Sequence, residues 1–230
     1  MIAGGYFGYL RDSSLVAVTD VEVVGVRSGE DPRRIVAEFD AAAREMTTLH
    51  VDRERLEEIA AAYPTIESVS PDPNFPHGLR IEVTEHDPAL LARAGGRVLA
   101  VAADGSLLAG IQLPEEGVLP TLELERPPAG DRLEGTPLAQ ALVVGAAPEP
   151  LRPLIEKVGH SKEFGVELVL RGGIPVRFGT GLHAARKWEA AAAVLADGKL
   201  DALTYLDVRV PKRPAAGGAA AGVAATDPPA

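Results

Sequence analysis

The sequence predicts a mixed α+β protein: a βααββ unit followed by a mixed, mostly antiparallel β-rich unit with packed helices. Three observations predict it. A β-branched run around Val21-Glu22-Val23-Val24 precedes two segments whose apolar residues recur at helical spacing. Clean alternation then runs from Leu79 to Thr84. Farther on, Asp104-Gly105 and Gly172-Gly173 each separate short apolar runs, the pattern of tight hairpins.

Taken in order, Val16 to Val24 reads as a first strand, with Glu22 set between Val21 and Val23 as a half-buried strand requires. Gly25 to Glu30 breaks the pattern. Asp31-Pro32 starts a helix, the acid at the N-cap and Pro at the first helical position. Ile35, Phe39, Ala42, Ala43 and Met46 line one face, and Thr47-Thr48 closes it. Asp52 caps a second helix, with Leu56, Ile59, Ala60 and Tyr63 on one side and Pro64 at its end. Ile66 to Val69 is a short strand, interrupted by a loop holding Pro71, Pro73 and Pro76. Leu79, Ile81 and Val83 then face one way, Arg80, Glu82 and Thr84 the other.

The second unit begins near Pro88. Val98–Ala102 and Leu107-Leu108 form a hairpin about Asp104-Gly105. Pro137 to Gly159 reads as two short helices around Pro148. Val166–Leu170 and Ile174–Phe178 form another hairpin, with Pro175 placing the return strand at a sheet edge. Leu182 to Ala196 is a helix with Ala185, Trp188, Ala192 and Leu195 on one stripe, stopped by Gly198. Leu203 to Val210 is the last strand, and residues 213–230 read as a disordered Pro/Ala/Gly tail.

Composition narrows the function. The chain has 230 residues, 46% of them apolar but only 4% aromatic, so aliphatic side chains must build the core. With 23 basic against 33 acidic residues the net charge is −10, which argues against phosphate-backbone binding. The absence of cysteine excludes disulfides, thiolate metal sites and a Cys nucleophile. Met1 to Leu10 is apolar and nearly uncharged, yet ten helical residues span only about 15 Å of the roughly 30 Å bilayer core. Two readings stand for it: a frayed apolar terminus, or the outer half of a membrane helix.

Chemistry-bearing motifs are weak. Gly179-Thr180-Gly181 opens the helix carrying Arg186 and Lys187, but the full phosphate-loop spacing is absent. Gly159-His160-Ser161-Lys162-Glu163 departs from a nucleophile elbow at its last position. The five histidines never reach ligand spacing, and His86 between Glu85 and Asp87 is at most a weak metal site. The expectation is a protein that is not an enzyme, with no cofactor, no metal and no nucleic acid.

These patterns, taken together, resemble the FtsQ/DivIB family of bacterial cell-division proteins. The resemblance rests on Val21-Glu22-Val23-Val24-Gly25, on Leu49, Val51-Asp52, Leu56 and Pro64, and above all on Pro76, Leu79, Ile81, Val83, Glu85 and Pro88. Asp104-Gly105, Leu119-Pro120, the Gly179 helix and Leu206-Asp207-Val208-Arg209 complete it. It implies a membrane or juxtamembrane remnant over 1–14, a POTRA domain over 15–87, and a β-domain over 88–212. It implies a non-catalytic divisome scaffold at the septum, anchored by a single-pass helix with its folded part extracytoplasmic. Such a protein binds small bitopic partners of the FtsB/DivIC and FtsL types, with other divisome proteins, and helps regulate septal peptidoglycan synthesis. The alternative is a POTRA-bearing protein-secretion or assembly module.

The resemblance also implies a contact site: a partner strand adds to an edge near the end of the β-domain, here Leu206, Asp207, Val208, Arg209 and Val210. Main-chain hydrogen bonds would supply affinity and alternate side chains specificity. Leu206, Val208 and Val210 would face one way, Tyr205, Asp207 and Arg209 the other. From the residues alone, an interior strand paired on both sides is the competing reading.

Overall fold

The computed structural model describes residues 14–29, 31–115, 117–196 and 200–220. Spatial proximity groups the chain up to Asp87 with Leu107–Gln112 as one unit, and Pro88–Ser106 with the residues from Leu113 onward as the other. The architecture is mixed α+β in both.

The first unit runs β1 (Asp20–Val24), α1 (Pro32–Ala43), α2 (Arg53–Ala61), β2 (Ile66–Asn74) and β3 (Gly78–Glu85). Its sheet has the order β1-β3-β2, with β1 parallel and β2 antiparallel to β3. This is the βααββ arrangement of a POTRA domain. Both helices start where the sequence says they should: the Asp31 carboxylate accepts from Arg34 N at 3.2 Å, and Asp52 from Arg55 N at 3.0 Å. Ile35 and Phe39 of α1 and Leu56 of α2 are buried in one cluster with Leu79, Ile81 and Val83 of β3. Each such side chain stabilises the fold by about 1.5–3 kcal/mol relative to exposure.

Two differences from the sequence reading have clear causes. Strand β1 begins at Asp20 and not at Val16, because Val16–Val18 bonds to 46–48 instead: Val18 N donates to Met46 O and Thr48 N to Val16 O. Strand β2 runs unbroken through Pro71 and Pro73, both paired across β3, with Ile81 and Leu79. Prolines two apart point their nitrogens the same way, and on an edge strand that way is outward, where no donor is needed.

The second unit contains β4 (Pro88–Ala94), β5 (Arg97–Ala102), β7 (Thr121–Glu123), α3 (Gly135–Gly145), β8 (Ile155–Ser161), β9 (Gly165–Leu170), β10 (Ile174–Gly179), α4 (Ala184–Ala196), β11 (Leu200–Asp207) and β12 (Ala215–Ala220). One sheet of this unit has the order β5-β4-β7 and the other β12-β11-β10-β9-β8, while the two-residue β6 (Leu107–Leu108) falls in the stretch grouped with the first unit. The Asp104-Gly105 turn forms as expected: Gly105 has φ +94° and Asp104 accepts from Ser106 N and Oγ. The Gly172-Gly173 turn joins β9 to β10 with φ of +93° and +79°.

Here too the sequence reading needs correction. Strand β10 is interior, between β9 and β11. Its Pro175 is harmless because the ladder to β11 involves only Val176 and Arg177. Residues 155–161 form a strand and not a second helix; a register shift between Ile155 and Lys157 disrupts the alternation that would have revealed it. On α4 the buried stripe is Ala184, Lys187, Trp188 and Ala191, turned from the expected Ala185, Ala192 and Leu195. Trp188 anchors it: fully buried, 4.9 Å from the Phe178 ring centroid, with Nε1 donating to Val143 O at 2.7 Å.

Candidate functional site

The end of the second unit's larger sheet holds the residues of interest. Strand β11 lies between β10, to which it is parallel, and β12, to which it is antiparallel. Leu206 is fully buried and stands opposite Val176 on one side and Ala216 on the other. Asp207 stands opposite Arg177 and Ala215 and ends the strand. Val208 is also fully buried, and its N–H still donates to Arg177 O at 3.0 Å. Val210 is 58% exposed, and its carbonyl accepts from Arg213 N in the turn that leads back to β12.

The opposite face of this sheet end carries charge and rings. Asp207 accepts from Arg209 three ways: from its backbone N–H, from Nε at 3.0 Å, and from Nη2 at 2.7 Å. Burial alone would raise the Asp207 pKa, but the Arg209 hydrogen bonds outweigh it and hold the carboxyl below the usual range. The Arg177 guanidinium stacks 3.7 Å from the Phe164 ring centroid and 4.9 Å from that of Tyr205, with its Nε 3.6 Å from Glu167. Arg209 lies 5.3 Å from the same Phe164 ring. The expected split therefore exists for Leu206 and Val208 against Tyr205, Asp207 and Arg209, while Val210 turns out to solvent.

What the sequence reading did not find is β12. Ala and Gly are depleted in strands, so nothing in Ala215-Ala216-Gly217-Gly218-Ala219-Ala220 signals one. The fit to β11 explains it: a Cβ at Gly217 would lie 2.3 Å from the Tyr205 ring and 2.7 Å from Thr204 Oγ1. Only a glycine at 217 comes that close. Residues 221–230 of the expected disordered tail, and residues 1–13 of the expected membrane remnant, lie outside the described residues.

The motifs that invited chemistry are committed elsewhere. Lys187 is buried, its pKa lowered by that burial, and its Nζ donates to Phe178 O and Thr180 O at 2.8 Å. It staples the turn before its own helix and does not project toward a phosphate. Ser161 Oγ donates to Glu167 at 2.7 Å and accepts from Phe164 N, closing the β8–β9 turn. Glu85 accepts from Arg27 N, Ser28 N and Ser28 Oγ, which draws it away from His86. His77 meets Ala17 O at 3.0 Å, and the exposed His160 lies along an open groove of about 890 Å³ whose walls also include Glu123, Arg132 and Glu156.

A βααββ unit joined to a β-rich unit defines a class of two-part α+β protein; the larger sheet of the second unit ends in β12, so β11 is interior and not the expected edge. Comparison with known proteins gives that class its family. The family described as cell division protein FtsQ/DivIB, C-terminal, matches residues 89–209. The Cell division protein FtsQ of Streptomyces venezuelae is 30% identical over 225 residues, covering 95% of this chain and 80% of the relative. Those of Streptomyces collinus and Streptomyces coelicolor are 29% and 28% identical, each covering 95% of this chain and 84% of the relative. The chain belongs to the FtsQ/DivIB family of cell-division proteins.

Proposed function

We propose that this protein is a non-catalytic scaffold of the division machinery, holding small bitopic partners of the FtsB/DivIC and FtsL types and helping to regulate septal peptidoglycan synthesis. In this reading, residues 15–87 are the POTRA domain and 88–212 the β-domain. A membrane helix before them keeps both outside the cytoplasm at the septum. The partner contact is the end of β11 and its continuation: Leu206, Asp207, Val208, Arg209 and Val210.

One observation carries the reading. On its outer side β11 is paired with β12, a strand made of Ala and Gly. That strand, β12, is the outer edge of the sheet, and such an edge suits strand addition, where main-chain bonds give affinity and alternate side chains give specificity. Asp207 and Arg209 lock each other at the end of β11, so the adjoining surface is already ordered before a partner arrives.

Calorimetric titration of the chain with the extracytoplasmic segments of its organism's own FtsB/DivIC-type and FtsL-type proteins tests this. Saturable binding is expected, weakened about tenfold by Val210→Asp, whose side chain is exposed and so leaves the fold intact. Val208 is the wrong probe, because an aspartate there would bury a charge. Binding that ignores Val210→Asp and Arg209→Ala alike would remove the contact from this strand.

A further inference from the structure

We propose that the groove lined by β7 and β8 is a docking site for an extended, net-basic peptide segment, seated on the free edges of these strands and read by the buried Gln140 amide. It lies on strands other than those of the contact proposed above, and it stands or falls apart from that contact.

Two free edges meet there. Strand β7 ends the order β5-β4-β7 and β8 ends the order of the larger sheet, and residues of both line one open groove of about 890 Å³ within the second unit. That volume lies in the range of ligand sites. On β7 the bonds to β4 and its end are fixed: Leu91 N donates to Pro120 O, and Leu124 N to Arg93 O. Alternation then aims the N–H and C=O of Thr121 and Glu123 away from β4, toward the groove. Neither N–H has a hydrogen-bond partner among the described residues. Groups of this kind are what an added strand pairs with.

A buried amide is the second observation. Gln140 of α3 lines the groove at 7% exposure, and its side chain makes no hydrogen bond among the described residues. A primary amide carries N–H donors and a carbonyl acceptor, and leaving both unused in a buried place costs stability that an apolar side chain of the same size would not. Its donor and acceptor match those of a peptide group, so it can bond the main chain of a segment passing along the groove. The position makes sense as a reader of such a segment.

Charge chooses the occupant. Glu123 is held by Arg93 at 3.1 Å, and Arg132 donates to Asp104 O at 2.8 Å. That leaves Glu125, Glu134 and Glu156 against Arg126 and Lys157 along the groove, none with an ion-pair partner among the described residues. In a chain of net charge −10, this surplus of carboxylates attracts Lys and Arg side chains. It repels a phosphate backbone, and among the described residues no Phe, Tyr or Trp lines the groove to stack a base. The occupant is therefore a peptide with more Lys and Arg than Asp and Glu.

Affinity selection from a synthetic library of nonapeptides, on the immobilised full chain, tests this. Sequences rich in Lys and Arg should be enriched. The most enriched peptide, followed by fluorescence anisotropy, should bind about tenfold more weakly to Gln140→Leu and to Glu156→Lys. Gln140→Leu should leave the urea midpoint unchanged or raise it, which separates reading a ligand from holding the fold. Glu57→Lys, the same charge reversal on an exposed position of the first unit, should bind the peptide as the parent does. With the peptide bound, hydrogen exchange should slow at 121–124 and 155–160. No enrichment over the bare support, enrichment without Lys and Arg, or equal loss from Glu57→Lys and Glu156→Lys would overturn the proposal. So would binding indifferent to both groove variants, or slowing confined to 200–220. Should Gln140→Leu fail to fold, as Trp188 fluorescence would report, Glu156→Lys at its exposed position decides.

Discussion

Glu85 ties the loop after β1 to the end of β3 through three hydrogen bonds from two residues. Its side chain is 6% exposed, and burial alone would raise its pKa; the N–H groups of Arg27 and Ser28 and the Ser28 hydroxyl reverse that and lower it. The exposed Arg27 guanidinium, 3.9 Å away, adds little. Because the folded value lies below the ordinary 4.5, the stabilisation is present above that pH and is lost as pH falls through the folded value. Glu85→Gln should therefore lower stability by about 1–2 kcal/mol at pH 7, measured by urea unfolding, and the gap should close below pH 4.5. Gly25 supports the same corner. It has φ +94°, and a Cβ there would overlap Val83 O. Gly25→Ala should lower stability by upwards of about 2 kcal/mol in the same assay, and a neutral result would mean the corner relaxes freely.

At the scale of elements, what could be read from sequence was what repeats or caps. The helices α1 and α2 announced themselves through Asp31, Asp52 and an apolar face, and β3 through strict alternation. Asp31→Ala and Asp52→Ala should each lower stability by about 1 kcal/mol, seen as a lower thermal midpoint in far-ultraviolet circular dichroism. What resisted reading was pattern masked by context. In β4, Ala89, Leu90, Leu91 and Ala92 are all buried in sequence, so no alternation exists to detect. In β8 a register shift breaks the period, and in β2 two prolines imitate a loop. Strand β12 has no signal of its own, because its conformation is set by Tyr205 and the β11 ladder. The geometry around the expected contact residues, Leu206 to Val210, was not legible: the stack of Phe164, Arg177 and Tyr205 brings together the β8–β9 turn, β10 and β11.

For the molecule as a whole, a βααββ unit and a β-rich unit are joined in a chain of the FtsQ/DivIB cell-division family, and the proposed role rests on the binding of a partner segment. Among the described residues no helix is long and apolar enough to cross a membrane. The net charge of −10 gives a self-repelling surface. The most direct test is titration of the FtsB/DivIC-type segment into the full chain and into its Val210→Asp variant. The account predicts saturable binding to the first and about tenfold weaker binding to the second, with unchanged Trp188 fluorescence in both free proteins. Equal binding by the two, or no binding by the full chain, would contradict it.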